Sequence, residues 1–426
     1  MLQENMPTRE ALAMASEDST HGPSPLLVRL AMPRENGTPG LLEARAVLDS
    51  ALRQSGHVPE LQPFACHAGR SEAAALALLC SAILVLRAGR DPRRRSLLML
   101  LCAWGLAFAA IAGGLDFMLP GAPATNILLR VEPRAAVHHE ILLSAHYDTK
   151  TEPLDHVGRS ALFGSVAIAC ITTLVAIARR RRVRRFGGAT AVLLVTAAAQ
   201  LALGRILPQR SHGIVDNGAA CALLVDLAQS VAAQPFEHTR LVCAWFAAEE
   251  WGAQGSSAAA AALARADAFV NLEAIGAGSE PVIAAFEMSG ATPRRADRSV
   301  ADRLQHAAAR PLRVLRAPLV TDAGPLLDAG IPGLTLLTIE PGAWTIRSLH
   351  GSGDRLPRFD ASGAAAARAL LLAFLTATDS AATGESRQRQ RLHRCRRGGI
   401  LPSARRRSAH RLRGGSRGSG NTDLGR

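Results

Sequence analysis

Residues 241–247 read LVCAWFA, and two adjacent glutamates, Glu249 and Glu250, follow one residue later. A strand that is apolar on both faces belongs in the middle of a sheet with helices packed on either side. This run therefore calls for an α/β sandwich. It also ends in two carboxylates, which are costly to withdraw from water unless something positive receives them. Neighbouring side chains diverge, so one could ligate a metal while the other faces an attacking water. A solvated strand end is the competing role.

The rest of the chain fits such a sheet. Residues 59–66, 125–131, 140–145, 268–275 and 333–339 have the apolar content of strands, with weaker strands at 282–286 and 312–315. Helical patterns fall at 40–56, 217–233, 256–264, 301–309 and 361–377. Strands alternating with helices predict an α/β fold with a mixed, mostly parallel central sheet sandwiched by helices.

Metal-ligand residue types recur at or just past the ends of these apolar runs. They are His146 and Asp148, then Asp216 with Asn217, then Glu249 and Glu250, then Glu273, then His350 with Asp354. His146 could bind zinc through one ring nitrogen, with Asp148 orienting it or a neighbouring ligand. Asp216 has two oxygens and could bridge two metals about 3.5–4 Å apart. It could equally cap the helix that follows, a position Asp and Asn favour. Glu273 and His350 are each ordinary alone. Together the set offers two imidazoles, three carboxylate ligands and a spare carboxylate, donors that zinc accepts.

Four further apolar stretches, 73–86, 96–115, 161–178 and 187–204, interrupt this pattern in two pairs. A bilayer core of about 30 Å needs about 20 apolar helical residues. The second stretch meets that length, the third and fourth come near it, and the first is short. Each pair is joined by an Arg-rich turn, at 87–95 and 179–185. Short Arg-rich loops stay on the cytoplasmic side, so both hairpins would dip inward and leave the body on the outer face. Two buried hairpins of a soluble domain are the alternative, but six Arg at one helix–helix turn have no use in a core.

The net charge of +14 is concentrated in those turns and in residues 385–426, which hold thirteen Arg against Glu385 and Asp423. No aromatic residues interleave with the charge, so no nucleic-acid surface is indicated. The seven cysteines form no CxxC pair and suggest neither a disulfide framework nor a cysteine zinc site. The first 25 residues lack an apolar signal core. Arg with almost no Lys points to a GC-rich bacterial genome.

Five strings carry a resemblance. They are AHYDT at 145–149, VDNG at 215–218, AEEWG at 248–252 with Gly255-Ser256, NLE at 271–273, and His350 with Asp354. Thr321-Asp322, the GIP at 330–332 and the PRENG at 33–37 also fit. In this series, over roughly residues 28–378 without the hairpins, the chain resembles metallopeptidase family twenty-eight, the co-catalytic zinc aminopeptidases related to bacterial leucyl aminopeptidases. The resemblance implies a zinc exopeptidase fold with two zinc ions, and peptide as substrate. His146 and Glu273 would hold one ion, Glu250 and His350 the other, and Asp216 would bridge them. Glu249 would be the general base and Asp148 the carboxylate behind the ligands. Many relatives carry Asp where Glu273 stands, and the NLE form resembles a multi-pass membrane branch of the family. Several relatives use a Tyr on the tetrahedral intermediate. Here the only tyrosine is Tyr147, and Leu349 precedes His350, so zinc or another donor would have to serve.

The expected organisation is a disordered N-terminus at 1–27 and a peptidase domain assembled from 28–70, 120–159 and 208–379. Transmembrane hairpins at 71–119 and 160–207 and a basic disordered tail at 380–426 complete it. The expected activity is a membrane-anchored aminopeptidase, in a bacterium at the inner membrane with its catalytic domain in the periplasm. The alternatives are a glutaminyl-peptide cyclase, which needs one zinc and no hydrolytic water, and an inactive peptidase-like binding protein. Residue specificity and oligomeric state are not legible in the sequence.

Overall fold

The structure, a computed structural model, describes residues 22–90, 94–179, 184–204, 206–208, 210–290, 292–346 and 349–397. The strands are β1 (Glu60–Cys66), β2 (Ala122–Val131), β3 (His139–His146), β4 (Thr239–Phe246), β5 (Ala268–Glu273), β6 (Glu280–Ser289), β7 (Thr292–Arg295), β8 (Arg313–Leu319) and β9 (Gly333–Ile339). The helices are α1 (Pro25–Arg29), α2 (Pro39–Gln54), α3 (Arg70–Arg90), α4 (Arg94–Ile111), α5 (His156–Ala178), α6 (Arg184–Leu203), α7 (Ala219–Ala233), α8 (Gln254–Leu263), α9 (Arg298–Ala307), α10 (Ala323–Asp328) and α11 (Ala361–Arg397).

Among the described residues the strands form one sheet in the order β1-β2-β4-β3-β5-β9-β6-β7, with β8 also on β6. The middle four, β4-β3-β5-β9, are parallel, and the flanks are mostly antiparallel. Side chains of a strand alternate between faces, and here both faces are apolar. Ile141, Leu143, Cys243 and Trp245 pack with α2, α7 and α11 through Leu48, Leu224, Leu227, Leu371 and Phe374. Leu142, Val242, Ala244 and Phe246 pack on the other side with Leu263 of α8 and Leu326 of α10. That two-sided burial is why the 241–247 run has no polar alternation. Gly255 lets α8 sit directly on β4, since a Cβ there would stand 2.1 Å from the Ala247 carbonyl oxygen.

Strand β7 was not legible beforehand. Its TPRR sequence has no apolar pattern and its residues are exposed. It forms because the chain folds back on β6, pairing Phe286 with Arg295 and Ser289 with Thr292.

The apolar pairs form helical hairpins, α3–α4 and α5–α6, whose inner sides meet in a second core of Val85, Leu100, Val166, Leu194 and Ala197 among others. Their outer sides carry exposed Leu76, Ile83, Leu101, Phe108, Ile168, Ile171, Val192 and Val195. Within the first hairpin the expected order of lengths is reversed. The first helix runs 21 residues, about 31 Å at 1.5 Å per residue, because flanking polar residues such as Ser71 and Glu72 join the helix. The second stops at Ile111, where Gly113 turns at φ +80°. Among the described residues, five helices are long and apolar enough, by length and composition, to span a membrane. Two of them, at 214–233 and 361–381, instead supply core residues to the sheet. At the base of the first hairpin Arg70 pairs with Asp116 at 2.5 Å. The turns at 91–93 and 180–183 lie outside the described residues.

The chain divides into two units, Met1–Ala382 and Thr383–Arg426. The second is described to Arg397, as the C-terminal part of α11. Helix α11 thus reaches Arg397, inside the segment from 380 that the sequence suggests as a basic disordered tail. Arg, Gln and Glu at 385–397 are good helix formers, and continuing a helix costs less than starting one. Residues 1–21 and 398–426 lie outside the described residues.

Candidate metal centre

Three adjacent parallel strands end together. His146 closes β3 opposite Phe246 of β4, Glu249 and Glu250 follow β4, and Glu273 closes β5. Ligands of α/β sheets bind at such carboxyl ends. The loop before α7 brings Asp216, and the loop after β9 brings His350. All seven residues selected from the sequence meet here. His146, Asp148, Asp216, Glu249 and His350 are buried, and Glu250 and Glu273 nearly so.

The Asp216 carboxylate lies between the two imidazoles. Its Oδ1 is 3.1 Å from His146 Nε2 and its Oδ2 is 3.0 Å from His350 Nε2. Glu273 Oε1 lies 3.4 Å from His146 Nε2, and Glu250 Oε1 lies 3.1 Å from His350 Nε2. Two donor triads result, His146–Asp216–Glu273 and Asp216–Glu250–His350, each with its ligand atoms within 4.8 Å of one another. Asp216 belongs to both. The helix-cap alternative fails on geometry, because α7 begins at Ala219 and no side chain caps it.

The imidazoles are held with Nε2 inward. His146 Nδ1 donates to the Asp148 carbonyl at 3.1 Å, with Asp148 Oδ1 3.5 Å away. Asp148 also accepts from the amides of Glu249 and Glu250 at 3.2 and 3.1 Å and from Asn36 Nδ2 at 2.5 Å. One carboxylate thereby fixes a histidine and the turn carrying both glutamates. Asp354 does the same for the bridging loop, accepting from Val215 N at 2.8 Å and Asp216 N at 3.2 Å. Backbone strain collects at the site. Ala248, Ala274 and His350 have φ of 57°, 50° and 62°. Non-glycine residues hold such values at a cost of about 1–3 kcal/mol each, and only where the surroundings dictate it.

Two buried groups that sequence reasoning passed over complete the frame. Arg34 donates to the carbonyls of Tyr147 at 2.9 Å, His212 at 2.8 Å and Gly213 at 2.9 Å, so it ties the end of β3 to the Asp216 loop. Gly213 has φ +57°, and a Cβ there would meet Thr149 Cγ2 at 2.1 Å. Glu152 accepts from His350 Nδ1 at 3.2 Å. Neither shows an apolar period or a strand end. Glu152 signals itself only as an ionisable residue close after the 145–149 string, and Arg34 only as a member of the PRENG string at 33–37. Tyr147 is turned away from the centre and donates its hydroxyl to the Thr125 carbonyl at 2.6 Å.

The donor atoms fit metal ions. Two ligands of one tetrahedral zinc, at bonds of about 2.0–2.1 Å, stand about 3.3–3.4 Å apart, close to the four separations above. Glu250 Oε1 is buried without a hydrogen-bond donor, although His350 Nε2 is 3.1 Å away. That separation suits two ligands of one ion. The acid groups also need positive charge. Burial, opposed by His146 and then aided by Glu250 and Glu273, holds the Glu249 carboxyl well above its usual range. Burial likewise pushes Glu273 up to about 7.

Burial disfavours a charged imidazole, yet neighbouring carboxylates win. Glu273 and Glu249 hold His146 above its ordinary range, and Glu250 and Asp216 do so for His350. A metal must displace those protons. Metal affinity is therefore expected to rise with pH across the neutral range and to level off once both rings are neutral. Chelator competition from about pH 6 to about pH 8 reads this directly. An affinity independent of pH would contradict it.

One end of the α/β sheet thus carries two carboxylate-and-imidazole triads joined by one aspartate, a donor set for metal. A profile of Peptidase family M28 matches residues 126–375, more than half of the 426 residues. The chain belongs to that family. Solved structures of similar fold include a zinc aminopeptidase from Bacillus subtilis, with 14% identity, 83% of this chain and 93% of that chain covered, and a TM-score of 0.51. A glutaminyl cyclase from Porphyromonas gingivalis has 14% identity, coverage of 83% and 96%, and a TM-score of 0.50. One from an Acidobacteriales bacterium has 15% identity, coverage of 89% and 98%, and a TM-score of 0.50. Likeness at these identities concerns the fold alone. A search of curated proteins found no match.

Proposed function

We propose that this chain is a membrane-anchored zinc exopeptidase, an aminopeptidase releasing N-terminal residues from peptides. The observation that carries the reading is Asp216, which offers one oxygen to each of two triads. That arrangement favours two ions, held by His146 and Glu273 on one side and Glu250 and His350 on the other. When bound, such ions polarise a substrate carbonyl and lower the pKa of water.

The chain's own groups do the rest. Glu249 is buried, and its Oε2 lies 3.9 Å from His146 Nε2, beside the triads and outside hydrogen-bond reach of that ring. It would take the proton from the attacking water and return it to the leaving amine. Its raised proton affinity suits both halves of that transfer at neutral pH. Asp148 keeps Glu249 in place through the backbone. The cleft beside Val215 has a volume of about 450 Å³ and is lined by Ala277, Glu340, Trp344, Ile346 and Arg358 among others. It would receive part of the substrate.

The hairpins would anchor the body. Large apolar residues on their outer faces suit lipid, and the Arg-rich turns suit the cytoplasmic side. The body would then lie outside, in a bacterium on the periplasmic side of the inner membrane.

The cyclase reading is kept because the two cyclase structures match the fold as well as the aminopeptidase does. One experiment separates the readings: metal analysis of detergent-purified protein, with a panel of aminoacyl-arylamides and a peptide bearing N-terminal Gln. We expect two zinc ions per chain and arylamide hydrolysis, with the protein retained in carbonate-washed membranes. One zinc with cyclisation of the Gln peptide would establish the cyclase. Pure protein without metal would indicate a binding protein.

A further inference from the structure

The loop at 151–155 lies between His350 and the second hairpin and is fastened to both. Glu152 N donates to the His350 carbonyl at 2.9 Å, and the Glu152 carboxylate accepts from His350 Nδ1 at 3.2 Å. On the other side, Arg159 Nη1, in the first turn of α5, donates to both Glu152 oxygens at 2.8 Å. Arg159 Nη2 also lies 3.0 Å from His156 Nδ1. Asp155 caps the same helix, accepting from Gly158 N at 2.7 Å. The far end of the hairpin is tied in as well. Gln200 of α6 accepts from Leu154 N at 3.2 Å, and Thr151 Oγ1 accepts from Arg210 N at 3.0 Å. Glu152 also pairs with Lys150 at 2.8 Å, and Lys150 is the only lysine in the chain.

We propose that the first turn of the inserted hairpin belongs to the metal centre, with Arg159 holding Glu152 against His350 so that both are positioning residues for that ligand. This rests on reading His350 as a ligand through Nε2. A ring binding metal at Nε2 must carry its proton on Nδ1, and Nδ1–H needs an acceptor. Glu152 is that acceptor. Arg159 Nη1 comes within 3.2 Å of His350 Nδ1, but two N–H groups cannot bond each other. With Nδ1 protonated, their closeness reflects the carboxylate they share. Arg159 therefore acts on the ring through Glu152. A bilayer anchor and a catalytic ligand are joined by one carboxylate, which gives the hairpin a second role besides retention at the membrane.

The test is a zinc titration of detergent-purified full-length protein against a chromophoric chelator, resolving the two sites, with the Co2+ spectrum as second readout. Glu152→Ala is expected to weaken one zinc site by about 10-fold or more, the range for partners behind a ligand. The other site, that of His146 and Glu273, should keep its affinity. Arg159→Ala should weaken the same site, and Arg159→Lys should restore part of the loss. The double variant should lose no more than Glu152→Ala alone, because the two act in series. A His350→Ala control should abolish the same site. Equal weakening of both sites would mean general disruption and would overturn the proposal. So would Glu152→Ala and Arg159→Ala binding zinc as the parent does while His350→Ala does not, which would leave the ligand assignment standing. A His350→Ala variant with both sites intact would overturn the ligand reading and the proposal with it.

Discussion

Glu249→Gln is expected to lower kcat by about 10³-fold or more, within the span that a positioned proton-transfer group contributes, with metal content unchanged. Glutamine keeps the size of the side chain and removes its capacity to accept a proton. The backbone frame does not depend on that carboxylate, since the Glu249 amide is the group bonded to Asp148, at 3.2 Å. KM should move little, because a side chain that acts only on the proton in flight leaves ground-state binding unchanged. Steady-state kinetics on an arylamide, paired with metal analysis, gives the result. Activity close to that of the parent would remove Glu249 from the base role.

The second large effect is expected at Asp216. Its two oxygens serve different triads, so Asp216→Asn should weaken both metal sites together. Each loss should exceed the roughly 10–100-fold carried by groups behind a ligand. Glu250→Gln and Glu273→Gln should each weaken one site only. Resolved zinc titrations of the three variants make the comparison. Loss at a single site in Asp216→Asn would show that the two triads do not share a bridge.

The amino-acid sequence carried the framework. The 241–247 run is apolar because both of its faces are covered, so composition alone revealed a central strand of an α/β sheet. Ligand types at strand ends were legible for a related reason. A carboxylate at the close of an apolar run, such as Glu249 or Glu273, departs from its neighbours and shows as a break in pattern. The hairpins were legible from length and from their Arg-rich turns, although α3 proved longer than its apolar stretch and α4 shorter. Burial on a bundle's inner side tolerates polar helix ends that a hydropathy reading excludes.

What the tertiary structure decided is orientation and pairing. Asp216 could cap a helix or bridge two ions on the sequence alone. Only the fold shows both histidine Nε2 atoms meeting its two oxygens. Strand β7 exists through its pairing with β6 and not through an apolar pattern of its own, and α11 runs past the apolar stripe on backbone propensity. The role of Glu152 stayed hidden because its partner His350 is 198 positions away, and that of Arg34 because the carbonyls it ties are 113 to 179 positions away. Local sequence records what a residue is and which face it takes. Which carboxylate meets which ring depends on contacts closed across the whole chain.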